Sequence, residues 1–243
     1  MKESCSHTEH YPMSDESVGN LQEPFLAAAL TDALGAANRL NSQMLIASNF
    51  GLVGAVNGNI VIKAPDWLYV PQVLPVPEGE IRRRYTPNLE GNPVGVVMEF
   101  LSDTEAGEYS IRPSFPYGKL FFYEKILKVP TYVIFESLAV VLEVRQLQDN
   151  QYVVQQPTEE GRYWIPELEL FLGIWHGTRL GLTIPWLRWW DESGNLLSWS
   201  SEQAEQERQR ADAIANQLEE ERQRNQGLMA KLQELGIDPN TLS

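Results

Sequence analysis

The chain has 243 residues, 43% of them hydrophobic, which suffices for one domain of ordinary size with an appendage and excludes a wholly disordered protein. Its single cysteine, Cys5, excludes an internal disulfide. The net charge of −14 argues against tight non-specific binding to nucleic acid, because such binding is driven by Lys and Arg side chains that release counterions from the phosphates.

The first 20 residues are polar and lack periodicity, and we predict a disordered leader at 1–20. This stretch has no apolar run of the kind that a secretory signal needs. The most apolar window, Met44 to Val56, is interrupted by Asn49 and is too short to span a bilayer. We therefore expect a cytoplasmic protein that makes no contact with a membrane.

The main domain is predicted over residues 21–200 and begins with a helix from Glu23 to about Leu40. Apolar residues there recur at spacings of three and four, namely Phe25, Leu26, Ala29, Leu30, Ala33, Leu34 and Ala37. Short runs with strand-like composition follow at 43–48, 51–56, 60–63 and 66–70, separated by Gly and Asn turn residues. The proline-containing segment 71–93 is predicted to be an exposed loop.

Two nearly continuous apolar runs, 94–101 and 131–136, have the pattern of strands that are buried on both faces. A helix is predicted between them at 117–127, and two further strands at 140–147 and 152–156. This order of helices and strands predicts an α/β (α+β) domain with a mixed sheet flanked by helices.

Six of the seven tryptophans lie between Trp164 and Trp199. Trp186, Trp189 and Trp190 precede the turn sequence 191–195, which predicts a terminal β-hairpin. A packed aromatic lid is favoured over a surface that stacks nucleic-acid bases, since basic residues do not interleave densely with the tryptophans.

From residue 201 the composition shifts to Glu, Gln, Arg and Ala, and we predict a helical tail over 201–243. It holds nine acidic and five basic residues, which leaves 24 acidic and 14 basic residues in the rest of the chain, so the acidity belongs mainly to the body. In heptad notation the a positions are Ala204, Ala211, Leu218, Asn225 and Leu232, and the d positions are Glu207, Ile214, Glu221, Leu228 and Leu235. Asn at an a position is typical of paired helices, whereas Glu at d favours a single solvated helix, so both interpretations remain open.

Three residues form a candidate metal-dependent site. Asp66 starts a short strand, Glu99 is the one charge in an otherwise apolar strand, and Lys119 begins the next helix. A carboxylate in a buried strand needs a partner because its desolvation is costly. Two carboxylates on neighbouring strands, Asp66 and Glu99, suit Mg²⁺ (or Mn²⁺), which prefers oxygen ligands, and a nearby lysine can stabilise developing charge. On spacing alone, Glu99 could equally form a salt bridge with an arginine.

The segments PDWLYV, VVMEFLS, GKLFFYEKILKVPTYVIF and LEVRQLQDNQYVVQ, followed by a Trp-rich hairpin and an ERQRA tail, resemble the Uma-two family of bacterial restriction endonucleases in the PD-(D/E)XK nuclease superfamily. The resemblance extends over about residues 20 to 240 and implies a restriction-endonuclease-like mixed sheet. It also implies that Asp66 is the motif aspartate, that Glu99 and Ser102 are the strand glutamate and serine, and that Lys119 and Tyr123 are the helix lysine and tyrosine.

The chain departs from the superfamily pattern in two places. The position two residues after the strand glutamate, where the superfamily lysine normally lies, is Leu101. The acidic motif that many members carry upstream of the first strand is missing, with Glu23 or Asp32 as candidate substitutes. Arg82–Arg84 could contact a phosphate backbone, although a solvated loop is favoured, and His176 is read as a packing or surface residue.

Two functions are compatible with these features. The first is a metal-dependent endonuclease that hydrolyses DNA phosphodiester bonds and binds DNA weakly, with the metal's help. The second is a catalytically inactive nuclease-fold interaction module that self-associates, as a homo-oligomer, through its C-terminal helix.

The segment boundaries predict that the tail is dispensable for folding. Truncation after Ser200 should leave the melting temperature of residues 1–200 nearly unchanged, as measured by circular dichroism. A large drop in melting temperature would mean that residues 201–243 stabilise the main domain and that the boundary is wrong.

Overall fold

A computed structural model describes residues 22–56, 58–101, 111–113 and 117–235. The predicted leader at 1–20 and the serine Ser102 lie outside the described residues. The chain divides into two compact units, residues 1–197 and 198–243. No helix among the described residues is long and apolar enough to cross a bilayer.

The first unit is a mixed α/β domain with a central six-stranded sheet, as the sequence predicts. The strands of this sheet, in spatial order, are β1 (Leu45–Ala47), β4 (Trp67–Val70), β6 (Val96–Leu101), β7 (Thr131–Glu136), β8 (Val141–Gln148) and β9 (Gln151–Val154). β6 and β7 are parallel, and the other neighbours are antiparallel. β6 is central and buried throughout, which explains why its sequence is a continuous apolar run.

Two smaller sheets flank the central one. One contains β3 (Asn59–Lys63), β2 (Gly51–Val56) and β5 (Arg84–Tyr85), and the other contains β10 (Arg162–Ile165), β11 (Leu170–Arg179) and β12 (Leu182–Trp190). The helices of this unit are α1 (Gln22–Ala36) and α2 (Lys119–Phe121), and a π-helical turn, Phe122–Leu127, continues α2.

The first helix ends four residues earlier than predicted. Asn38 adopts a left-handed conformation, with φ of 55°, and its amide donates to the carbonyl of Gly35. Asn tolerates this conformation better than most residues and commonly ends a helix. The apolar periodicity that continues to Leu40 therefore extends past the helix itself.

The segment 71–93, predicted to be an exposed loop, is partly structured. It contributes β5, which pairs in parallel with β2, and Tyr85 is fully buried. Arg82 donates to the carboxylate of Glu90 at 2.6 Å and to the carbonyl of Leu74 at 2.5 Å. Arg82 is thus held within the domain, while Arg83 and Arg84 are exposed.

The tryptophans form a packed layer, as predicted. Trp186 and Trp189 are completely buried, and Trp189 contacts Trp67 with ring centroids 6.1 Å apart. The Trp189 indole also donates to the carbonyl of Leu30 in α1 at 3.1 Å. Trp189 therefore joins β12 to α1 and the central sheet, and the burial of Trp186 and Trp189 removes both from any base-stacking surface.

The hairpin of the aromatic segment closes at a different place from the predicted one. β11 and β12 are joined at Leu180–Gly181, where both residues have positive φ, the geometry of a tight hairpin turn. The predicted turn at 191–195 does form, and it brings Trp190 into an isolated bridge with Leu196 rather than into a further strand pair.

The second unit contains the predicted tail helix, α3 (Ser200–Glu234). Its described side chains are mostly exposed. On its first turns, Arg208 bonds to Glu205 at 2.8 Å and lies 3.5 Å from Asp212. Such pairs at spacings of three and four stabilise an isolated helix modestly.

Candidate active site

Asp66 directly precedes β4, and Glu99 lies on the neighbouring strand β6. The antiparallel register of β4 and β6 pairs Trp67 with Met98, and the same register extended by one residue places Asp66 across from Glu99. Residues that are directly opposite in an antiparallel pair project to the same face. The backbone amide of Phe100 donates to Asp66 Oδ2 at 2.6 Å, which holds the aspartate beside the strand that carries Glu99.

Glu99 lies on the sheet face that α2 and the π-helical turn cover. Alternation along β6 puts Val97, Glu99 and Leu101 on one face, and Val97 and Leu101 belong to a core cluster that includes Phe122 and Tyr123. Glu99 is 0% exposed. A charged residue at such a position needs partners that reach it from the covering helix.

Two side chains of the covering helix bind the Glu99 carboxylate. Lys119 Nζ lies 3.0 Å from Oε2, and Tyr123 Oη donates to Oε1 at 2.8 Å. Tyr123 is fully buried, whereas the Lys119 side chain is 24% exposed. Lys119 therefore connects the buried carboxylate to solvent, and Tyr123 fixes the carboxylate from within the core.

The local backbone explains how both partners reach one carboxylate. Lys119 and Tyr123 are four residues apart, a spacing that places two side chains on the same helix face. The junction between α2 and the π-helical turn falls between them, and π-turns inside helices occur frequently at functional sites. Gly54 of β2 permits the close packing of this helix, because a Cβ atom there would lie 2.8 Å from the Phe122 ring.

Burial dominates the electrostatics of the site. Desolvation raises the pKa of Glu99 to about 8, the Lys119 ammonium opposes this increase, and the negative charge of Asp66 adds to it. Burial and then the adjacent Glu99 carboxylate raise the pKa of Tyr123, which therefore remains a hydrogen-bond donor at neutral pH. Burial therefore favours the neutral form of Glu99, while the adjacent Lys119 ammonium favours its charged form.

Glu23 and Asp32, the two acids considered as substitutes for the upstream acidic motif, both lie in α1. Asp32 is committed to an ion pair with Arg179, at 2.9 Å, that ties α1 to β11. Glu23 is buried in α1. The charges that act most strongly on Glu99 are those of Lys119 and Asp66. His176, on β11, is exposed.

Among the described residues, the candidate site offers the carboxylates of Asp66 and Glu99 to a cation. No group of three or more His, Cys, Asp or Glu side chains in the described ranges is placed to hold a metal ion. Mg²⁺ is usually bound in proteins through one or two carboxylates, with water completing its shell. The pair of Asp66 and Glu99 therefore fits this cation in ligand type and number.

Residue types alone did not predict that Tyr123 donates a hydrogen bond to Glu99. Its spacing of four from Lys119 was the available signal, since a helix that delivers Lys119 to Glu99 delivers Tyr123 to the same side. The bond from the Phe100 amide to Asp66 has no counterpart in the sequence, because it joins residues 34 positions apart.

The mixed sheet, its flanking helices and the long C-terminal helix define a restriction-endonuclease-like fold. A family model described as "Putative restriction endonuclease" matches residues 11–184, a span that includes Asp66, Glu99, Lys119 and Tyr123 but ends before α3. The chain belongs to this family, Uma2, which confirms the predicted resemblance. Comparison with curated proteins finds no match.

Proposed function

We propose that the protein is a Mg²⁺- or Mn²⁺-dependent endonuclease that hydrolyses DNA phosphodiester bonds. The observation that carries this proposal is a pair of bonds: the amide of Phe100, next to Glu99, donates to Asp66 at 2.6 Å, and Lys119 donates to Glu99 at 3.0 Å. Membership in a family described as a restriction endonuclease supports it. A cytoplasmic location, where DNA would be accessible, belongs to the same proposal.

Asp66 and Glu99 would hold the divalent cation. A cation bound there would withdraw charge from the phosphate oxygens and acidify a water molecule that can attack phosphorus. Neighbouring groups of the protein hold the two carboxylates in place, because the Phe100 amide orients Asp66 and Tyr123 orients Glu99. Positioning of this kind matters because catalytic groups must be held within a fraction of an ångström.

Lys119 would act on the substrate side of the site. Its ammonium bonds to buried Glu99, yet about a quarter of the side chain is exposed, so it can contact a phosphate oxygen or the attacking water. A fixed positive charge at that place stabilises the charge that develops in the transition state. This role differs from that of the two carboxylates, which bind the cation.

Weak binding of DNA follows from the charge distribution. The chain carries a net charge of −14, and several of its basic residues are engaged by acids, including Arg82, Arg145 and Arg179. The attraction to phosphate must then come largely from the bound cation, with Lys119 and the exposed Arg83 and Arg84 as further basic groups. Low salt favours such binding because fewer counterions compete.

The test is cleavage of supercoiled plasmid at low salt with Mg²⁺, Mn²⁺ or EDTA. Conversion to nicked or linear DNA that requires the divalent cation would support the proposal. A protein that is folded by circular dichroism but leaves plasmid, linear duplex and single-stranded DNA intact with both metals would contradict it.

Substitution of Lys119 should separate catalysis from metal binding. Lys119→Ala is expected to slow single-turnover cleavage about 10²–10³-fold, the loss typical of removing one group that stabilises transition-state charge. Mn²⁺ affinity, measured by calorimetry, should be retained, because lysine is not a ligand. Lys125→Ala is the matched control, since Lys125 lies on the same helix and pairs with Glu124 at 2.9 Å. A Lys119→Ala protein as fast as the control would exclude the role assigned to Lys119.

A second candidate is a catalytically inactive nuclease-fold module that forms a homo-oligomer through its C-terminal helix. The observation that favours it is the series of exposed apolar side chains on α3, among them Ile214 and Leu228. The two candidates differ in the metal-dependent cleavage assay, whereas self-association by itself is compatible with both.

A further inference from the structure

The helix α3 carries an apolar stripe that the described residues of its own chain leave exposed. Ile214, Leu218, Leu228 and Leu235 are 64%, 49%, 53% and 73% exposed. They occupy a and d positions of a heptad pattern that extends from Ala211 to Leu235, 25 residues or three and a half heptads. This length is in the range that sustains a two-helix coiled coil.

A parallel pairing of two copies brings like charges together. In a parallel, in-register coiled coil each seam residue meets the same residue of the other helix. Glu221 at d would then face Glu221 of the second copy, and Glu207 would face Glu207. Two carboxylates directly opposite each other in a seam are destabilising, so the sequence disfavours this orientation.

An antiparallel pairing centred on Gln223 matches every layer of the stripe. Leu218 then faces Leu228 of the second copy, Ile214 faces Leu232, and Ala211 faces Leu235. In an antiparallel seam, a positions meet d positions of the partner, so these pairs follow from one choice of register. Each apolar residue of the stripe on one helix therefore faces an apolar residue on the other helix.

The polar layers also become complementary in this register. Glu221 faces Asn225 of the second copy, and an Asn amide can donate to a carboxylate. Arg222 and Arg224, at the e and g positions, flank the seam beside Glu221. Glu207 has its counterpart at position 239 and falls outside the paired segment.

We propose that residues 211–235 pair with the same segment of a second copy as an antiparallel two-helix coiled coil. The contact is isologous, with a two-fold axis through the level of Gln223, as in most homodimers. Opposed helix directions also place unlike ends of the helix dipoles near each other. This inference deepens the self-association candidate and is independent of metal binding and cleavage.

Disulfide trapping in the full chain tests the orientation. In a Cys5→Ser background, Leu218→Cys and Leu228→Cys are prepared as separate proteins and oxidised alone or after mixing. The antiparallel register brings the two different positions together, so the cross-linked dimer should form in the mixture and be largely lost when either protein is oxidised alone. The outer-face pair Asn216→Cys and Gln223→Cys should not cross-link in any combination.

A strong cross-link of Leu218→Cys to itself would indicate a parallel pair and overturn the inference. Sedimentation equilibrium of the unmodified chain provides the second measurement, with a dimer expected at high micromolar concentration. Leu228→Asp should convert it to a monomer, because a charge would face Leu218 of the second copy, whereas Asn216→Asp on the outer face should leave the dimer intact. A monomer for the unmodified chain at all concentrations would equally overturn the proposal.

Discussion

Glu99→Gln is expected to abolish divalent-metal-dependent DNA cleavage while leaving the protein folded. The amide keeps the shape of the side chain and can still accept the bond from Tyr123, but it cannot bind a divalent cation as a carboxylate does. The rate loss should exceed the roughly 10–100-fold change typical of residues that only support a metal ligand. Mn²⁺ affinity measured by calorimetry should fall together with cleavage.

The fold should tolerate this substitution because the native carboxylate is costly to bury. Burial raises the pKa of Glu99 to about 8, so a neutral side chain is compatible with this position. Glu99→Ala is expected to lose cleavage as well, but it removes the partner of Lys119 and Tyr123 and should reduce stability by about 1–3 kcal/mol more than Gln. The Gln variant is thus the cleaner test.

Asp66→Asn should give the same loss of cleavage and metal affinity, since its amide oxygen can still accept from the Phe100 amide. Glu143→Gln serves as the control, because Glu143 is a partly exposed carboxylate on β8 that pairs with Arg145. The control should cleave at the rate of the unmodified protein. Undiminished cleavage by Glu99→Gln would disprove the assignment of the metal site, even if the protein proved to be a nuclease.

Trp189→Ala is expected to cause the largest loss of stability among single core substitutions considered for this domain. The side chain is 0% exposed, contacts the Trp67 ring and donates to the carbonyl of Leu30. Truncation of a buried Trp to Ala typically lowers the free energy of unfolding by about 3–5 kcal/mol, because packing contacts are lost and a cavity remains. Urea denaturation followed by circular dichroism measures the change.

The control for the stability loss of Trp189→Ala is Ile60→Ala, a substitution at a side chain on β3 that is 74% exposed. A substitution at such a position usually changes the free energy of unfolding by less than about 0.5 kcal/mol. If the two variants unfolded at similar urea concentrations, the aromatic layer between α1 and the central sheet would not have the structural role assigned to it.

The sequence by itself identified most of the central sheet and gave the two acids of the candidate site. Strands β6 and β7 were recognisable because a strand buried on both faces is apolar at every position, and this same property made Glu99 conspicuous. The tail helix was recognisable from an abrupt change in composition. Each of these features is local, since it depends on residues that are near one another in the chain.

The tertiary structure decided which of these elements meet. The pairing of β4 with β6 brings Asp66 to the Phe100 amide, next to Glu99. The helix formed by α2 and the π-helical turn brings Lys119 and Tyr123 to the Glu99 carboxylate. Arg82 is withdrawn into the domain by Glu90, although its sequence neighbourhood indicates a solvated loop. The aromatic hairpin closes at Leu180–Gly181, where both residues adopt positive φ, although Leu is a residue type that rarely does so. Contacts of this kind join residues distant in sequence, and the periodicity of a single segment carries no information about its neighbours in space.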